Sequence, residues 1–261
     1  MARIAIGVEY DGTAYEGWQA QSSGRTLQQL IERALGGVAA EPVTLVCAGR
    51  TDAGVHALGQ VAHFDTAAQR SGRAWVLGTN SALAADVSVS WARPVAAHFH
   101  ARYSAEARTY RYLILNRLAR SGLCATRAAW IHRSLDHVRM GEAAGALLGE
   151  HDFSAFRSAE CQARSPVRRM ERLTVARHGD WIQIEATANA FLHHMMRNIA
   201  GLLIAIGTAE AAPAWAREVL EGRDRRRNAA TAPAAGLYLQ SVRYPAAFDL
   251  PEAPGGGVFL P

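Results

Sequence analysis

Alternation of period two gives way to helical spacing and back again, twice in each half of the chain, and this order of elements constrains the fold more than any other feature. Ile4, Ile6, Val8 and Tyr10 alternate with Arg3, Ala5, Gly7 and Glu9, which reads as a half-buried strand ended by Asp11-Gly12. Thr26 reads as an N-cap and Gln29 as the other half of a capping box. Leu27, Leu30, Ile31, Ala34 and Leu35 follow at helical spacing, with Gly36-Gly37 as the stop. Strands over 43–47 and 59–66, a helix over 74–83 and a strand over 87–91 complete the first half. The second half repeats the scheme. Strands are expected over 109–116, 173–177, 181–187 and 237–243, and helices over 135–148 and 190–207.

Each half is thus β-α-β-β-α-β, the order of a ferredoxin-like unit. The expectation is an α+β protein with one half over 1–104, a second over 105–245 and an extended, Pro- and Gly-rich tail over 246–261. Two antiparallel sheets joined side by side, with helices on one face, would leave the other face as a cleft for a large ligand. Four-stranded RNA-binding sheets use such a face.

The chain has 261 residues with 28 basic and 23 acidic, and since it contains no Lys every basic residue is Arg. Lysine chemistry is therefore excluded, including a Schiff base, a pyridoxal anchor or the Lys of a P-loop. Coding bias is the simpler explanation, because Ala is also abundant. Either way, guanidinium groups suit bidentate phosphate contact and base stacking. The net charge of +5 makes a polyanion partner worth testing. Cys47, Cys124 and Cys161 are odd in number and far apart, so neither a disulfide framework nor a Cys-rich zinc site is indicated. Residues 1–10 lack an apolar signal core, and the apolar stretch 199–212 is too short to span a membrane. The expected location is the cytoplasm.

Three stretches could carry chemistry. The loop Gly49-Arg50-Thr51-Asp52-Ala53-Gly54-Val55-His56 joins two strands and projects from a sheet end. Asp52 there is either a nucleophile or general base, or a residue capping its own turn. In Phe191-Leu192-His193-His194-Met195-Met196-Arg197-Asn198, helical spacing places Ala190, His194, Arg197 and Gly201 on one face. Arg197, set in an apolar helix, either pairs with a carboxylate such as Asp52 or snorkels to solvent. In Arg108-Thr109-Tyr110-Arg111-Tyr112, alternation puts Arg108, Tyr110 and Tyr112 on one face. That pattern serves base stacking with phosphate contact, or reflects only the β-propensity of Tyr. His98-Phe99-His100 and His193-His194 lack the i, i+4 spacing of a helical zinc motif, so no metal is expected. The basic runs 164–172 and 223–227 suit a phosphate track.

Several of these stretches resemble one family, the tRNA pseudouridine synthase A family. They are Tyr10-Asp11-Gly12-Thr13 with Gly17-Trp18-Gln19, the block Gly49 through Ala57, Phe99-His100-Ala101-Arg102-Tyr103-Ser104-Ala105 and Arg108-Thr109-Tyr110-Arg111-Tyr112. His151-Asp152-Phe153-Ser154-Ala155-Phe156, the 191–198 block and Ala232-Pro233-Ala234-Ala235-Gly236-Leu237-Tyr238-Leu239 complete the set. The blocks stand in family order and cover nearly the whole chain. The resemblance implies isomerisation of uridine to pseudouridine at positions 38, 39 and 40 of the tRNA anticodon stem-loop. It implies no metal, no cofactor and a homodimer whose clefts use both subunits. By motif, Asp52 would be the nucleophile and Arg197 its partner. Tyr110 would stack on the target base near its C5 proton, Leu237 would pack under the base, and Arg50 would hold the flipped nucleotide. Met195-Met196 and Ala84-Ala85 depart from the family's usual Met-Val and Leu-Pro, away from these roles. The competing reading is a tRNA-binding or folding protein without catalysis; a metal hydrolase built on the His pairs is a third.

Overall fold

Ile4, Ile6, Val8 and Tyr10 form the spine of strand β1, Ala2–Tyr10, in the computed structural model, which describes residues 1–22 and 24–252. The remaining elements up to residue 106 are α1 (Leu27–Ala39), β2 (Val46–Cys47), β3 (His56–Thr66), α2 (Gly72–Ala82) and β4 (Val87–Val95). After residue 106 come β5 (Ala107–Asn116), β6 (Ala129–Ile131), α3 (His137–Gly145), β7 (Gly149–Asp152), β8 (Val167–His178) and β9 (Trp181–Ala188). They are followed by α4 (Met195–Gly207), α5 (Trp215–Gly222) and β10 (Leu237–Arg243). The fold is α+β. The chain clusters into two units: Met1–Glu106 with the described residues from Leu239 on, and Ala107–Tyr238.

In the first unit β1 pairs antiparallel with both β3 and β4, setting Ile6 opposite Ala62 on one side and Ala92 on the other. The strand is not half-buried as its alternation suggested: Ile4 through Val8 are all buried. Ala5 joins Ala48, Val61, Phe99 and Ala101 in a core cluster. Gly7 lies so close under the Trp91 indole that a Cβ there would overlap the ring. In the first unit, the face of the sheet that carries Ala5 and Val61 therefore holds a packed cluster. Tyr244, Phe248 and Leu250 pack against the same cluster. This is why the chain from Leu239 returns to the first unit rather than staying with 105–238. It also corrects the expected extended tail, since Ala246–Phe248 is a 3-10 turn with the Phe248 ring 5.0 Å from that of Phe99. Residues 253–261 of that tail lie outside the described residues.

Helix α1 buries Leu27, Ile31, Ala34, Leu35 and Ala39. It does not stop at Gly36-Gly37. Val38 packs against Gly78 of α2 and Ala39 is buried, so packing carries the helix to Ala40, which caps it at φ 57°. The capping box also fails in its usual form. The Thr26 hydroxyl makes no bond to a helix N–H; it donates to Gln29 Oε1 at 2.6 Å, and Gln29 Nε2 reaches Gln21 O at 3.0 Å. The expected strand over 43–47 shrinks to the two residues of β2, while β4 runs on to Val95.

Buried His63 accepts the Ala101 N–H on Nδ1 at 3.1 Å, which requires a neutral ring. Burial, then the Arg3 and His100 charges, push its pKa from 6.5 down to about 4 despite the opposing Asp65 carboxylate. An unfolded chain takes up this proton near 6.5 and the folded chain only near 4, so stability is lost as pH falls through that window. Urea unfolding should show roughly 2 kcal/mol less stability at pH 5 than at pH 7 from this group. His63→Asn should flatten that slope; an unchanged slope would remove His63 as its cause.

The second unit orders its strands β5-β9-β8-β7, with β6 parallel to β5. Ala186 faces Tyr110 across the β5–β9 ladder. α3 packs on β8 and on α4. Elements unforeseen from sequence are β6, β7 and α5, while β8 is a 12-residue strand rather than a short hairpin arm. The helix expected from residue 190 begins only at Met195. Asn189 turns the chain after β9, its Oδ1 accepting from the N–H groups of Arg169 and Ala190. His194 then enters the helix at φ 63°. Ala190 consequently does not lie on a helix face with Arg197. Among the described residues no helix is long and apolar enough to cross a membrane.

Candidate active site

In the first unit, the loop from Gly49 to Val55 leaves β2 and enters β3 on a frame of hydrogen bonds from buried groups. Gln60 is fully buried and donates through Nε2 to Gly49 O at 2.6 Å. Trp18 N donates to Thr51 O at 3.0 Å, and Thr51 Oγ1 lies 2.8 Å from Tyr10 Oη. Val55 N closes the turn onto Asp52 O at 3.2 Å, and Gly54 takes φ 74°, a conformation that favours glycine. His56 Nδ1 accepts from Gly12 N at 3.1 Å. The outcome is a turn whose backbone is fixed from below and whose Asp52 side chain is half-buried, with Arg50 exposed beside it in sequence. Cys47, at the loop's entrance, is no nucleophile: burial pushes its thiol up to about 12.

Tyr110, Arg197 and Leu237 belong to the second unit. Tyr110 stands on β5 with its ring edge-on to Phe191, centroids 4.8 Å apart. Tyr112, two residues on, is wholly buried and donates to Pro233 O at 2.8 Å. Burial raises its phenol above the ordinary range. It is thus a core residue and not a second stacking platform. Arg108 and Arg111 are also buried; Arg108 Nη1 donates to Asn189 O at 3.0 Å and Arg111 Nη2 lies 3.5 Å from Glu185. The Arg–Tyr alternation of this strand therefore serves its packing, with Tyr110 the aromatic beside the turn before α4.

Arg197 sits in the first turn of α4, partly buried. Its Nε donates to Ala232 O at 2.9 Å, and Ala232 N returns a bond to Arg197 O at 3.1 Å. The neighbouring Asn198 is buried and binds the same strip of chain. Its Oδ1 accepts from Thr231 Oγ1 at 2.7 Å and from Arg225 Nη2 at 3.0 Å. Arg225 is thereby taken out of the expected phosphate track, and Arg226 is paired with Asp224. Leu237 follows Gly236, where a Cβ would stand 2.7 Å from Leu113 O and 2.9 Å from the Tyr112 ring. This close approach brings the start of β10 onto β5, the strand that carries Tyr110. Thr231 and Gln60, single polar residues in apolar runs, gave no signal in the sequence, and Asn198 stood in the 191–198 block without a role. The histidines of His98-Phe99-His100 are occupied structurally: His98 stacks on Phe248, and His100 Nδ1 accepts from Arg102 N and Tyr103 N.

A family model described as tRNA pseudouridine synthase matches residues 6–104 and 143–245. The matched stretches contain Arg50, Asp52, Arg197 and Leu237, while Tyr110 falls in the interval between them. The chain belongs to the tRNA pseudouridine synthase family. Its curated relatives include a tRNA pseudouridine synthase A of Pseudomonas aeruginosa, 55% identical over all of this chain and 92% of its own length. One from Coxiella burnetii is 53% identical over the whole of both chains, and one from Methylococcus capsulatus is 55% identical over 95% of this chain and 92% of its own.

Proposed function

We propose that the protein isomerises uridine to pseudouridine in tRNA, at positions 38, 39 and 40 of the anticodon stem-loop, as a cytoplasmic homodimer. What most supports this reading is the turn around Asp52, a half-buried carboxylate on a backbone fixed by buried groups, in a chain similar to tRNA pseudouridine synthases over its full length.

The reaction breaks the C1′–N1 bond and makes a C1′–C5 bond. N1 gains a proton and C5 loses one, so atoms balance with no cofactor. The target uridine leaves the helix stack, as for other enzymes that act on bases. In our assignment Asp52 is the catalytic carboxylate, either the nucleophile that adds to the sugar or base or the base that takes the C2′ proton. Arg197 is assigned as its partner. Tyr110 stacks on the base near C5, Leu237 packs beneath it and Arg50 holds the flipped nucleotide.

The test is to incubate an unmodified tRNA carrying uridines at 38–40 with the protein and map pseudouridine nucleotide by nucleotide. Conversion confined to those positions supports the reading, and tRNA bound without conversion favours a binding-only protein. Because phosphate neutralisation dominates such binding, tRNA affinity should weaken by at least ~10-fold between 50 and 200 mM salt. A flat salt dependence, measured by filter binding, would count against Arg-based phosphate contact.

A further inference from the structure

We propose that Thr51 is a positioning residue for Asp52, held in place through its hydroxyl by Tyr10; the proposal rests on the assignment of Asp52 as nucleophile. Thr51 is the residue directly before Asp52, and it is gripped twice, once by the last residue of β1 and once by the segment that follows it. Its carbonyl accepts from Trp18 N at 3.0 Å, and its hydroxyl lies 2.8 Å from the Tyr10 phenol. Tyr10 and Thr51 are only 3% and 7% exposed, so this bond is an internal strut and not a surface for RNA. The phenol is itself well anchored. Tyr10 is the last residue of β1, opposite Ala57 of β3, and its ring lies 5.9 Å from that of Trp18. Gly17 completes the cradle: at φ +93° it lets the backbone run so close that a Cβ would stand 2.7 Å from Thr51 O and 3.1 Å from the Asp52 carbonyl carbon.

The strut thus links the end of one strand to the residue beside the reacting carboxylate. Without it, the buried Thr51 hydroxyl loses the Tyr10 phenol and the turn is free to relax. Displacement of a reacting group by about 1 Å costs on the order of 10²-fold in rate.

The experiment measures single-turnover pseudouridine formation at saturating enzyme, tRNA affinity and thermal melting. The proteins are wild type, Asp52→Asn, Tyr10→Phe, Thr51→Val, Thr51→Ser and the double variant Tyr10→Phe/Thr51→Val. The expected result is a chemical step slowed about 10- to 100-fold in Tyr10→Phe and Thr51→Val, with tRNA affinity within about twofold of wild type. Thr51→Ser keeps the hydroxyl and should stay within about threefold of wild type. The double variant should be no slower than the slower single variant, because both remove one bond. If Thr51→Val melts before assay temperature, Tyr10→Phe carries the test alone, since it retains the ring. Full-rate Tyr10→Phe and Thr51→Val beside an inactive Asp52→Asn would overturn the positioning role alone. So would losses that multiply in the double variant or fall on tRNA affinity. An inactive wild type or an active Asp52→Asn would overturn the assignment beneath it, and the proposal with it.

Discussion

Asp52→Asn should lose pseudouridine formation by at least about 10³-fold while tRNA affinity stays within a few-fold of wild type. Asn fills the same space, and the turn's closing bond runs from Val55 N to the backbone oxygen of residue 52, so the substitution leaves it intact. Thr51 and Gln60 hold the loop from buried positions that the change does not touch. What is removed is the negative charge and the basic oxygen. An amide neither adds to the sugar or base nor takes up a proton at neutral pH, and other groups of the loop do not substitute for it. Cys47 stays protonated through burial. Single-turnover assays with quantified pseudouridine, alongside thermal melting to confirm folding, check this. Wild-type turnover in the variant would remove Asp52 from the chemistry.

Gly201→Ala should lower the melting temperature by roughly 5–10 °C, corresponding to about 2–3 kcal/mol. In an exposed helix the same change stabilises by about 1 kcal/mol, because Ala restricts the unfolded chain and favours the helix. Here the opposite effect wins. A Cβ at 201 would overlap the Ala230 carbonyl and come within 3.4 Å of Ala232 N, both backbone atoms with no rotamer to escape into. Overpacking of this kind costs about 1–3 kcal/mol or more. The displaced strip carries Ala232, which exchanges hydrogen bonds with Arg197, so turnover should fall together with stability. Gly37→Ala is the matched control: it lies in α1 with open space where its Cβ would go, and should raise the melting temperature by about 2 °C. Differential scanning calorimetry of the two variants separates the effects, and a stabilised Gly201→Ala would show that α4 does not depend on this close approach.

Most strands were legible from sequence because alternation survives wherever one face is packed, as in β9, where every second residue is buried. The order of elements in the first unit follows the sequence reading closely, although β2 is shorter than expected. What the sequence concealed were places where tertiary contacts override a local signal. Gly36-Gly37 reads as a stop, yet packing of Val38 on Gly78 carries the helix on. The apolar run from Ala190 reads as helix, yet Asn189 bonds the turn and delays the start to Met195. β6 and β7, of three and four residues, are too short to show a period. At the candidate site, the Asp52 loop stood out through its glycines and charges, which mark a turn that needs them. The supports of that loop did not. Tyr10 and Thr51 are 41 residues apart and look like ordinary strand and loop residues until their hydroxyls meet. The same holds for Arg225, which reads as part of a basic run but bonds Asn198 and Thr231 inside the unit.

The central claim is that this chain replaces the C5–H bond of a tRNA uridine with a bond to the sugar. Tritium release from tRNA labelled at uridine C5 measures that event directly. Release by the wild-type protein should rise with time to match the uridines converted, without added metal or cofactor, and Asp52→Asn should give none. Label retained by a wild-type protein that still binds the tRNA would contradict it and leave a protein that only binds RNA.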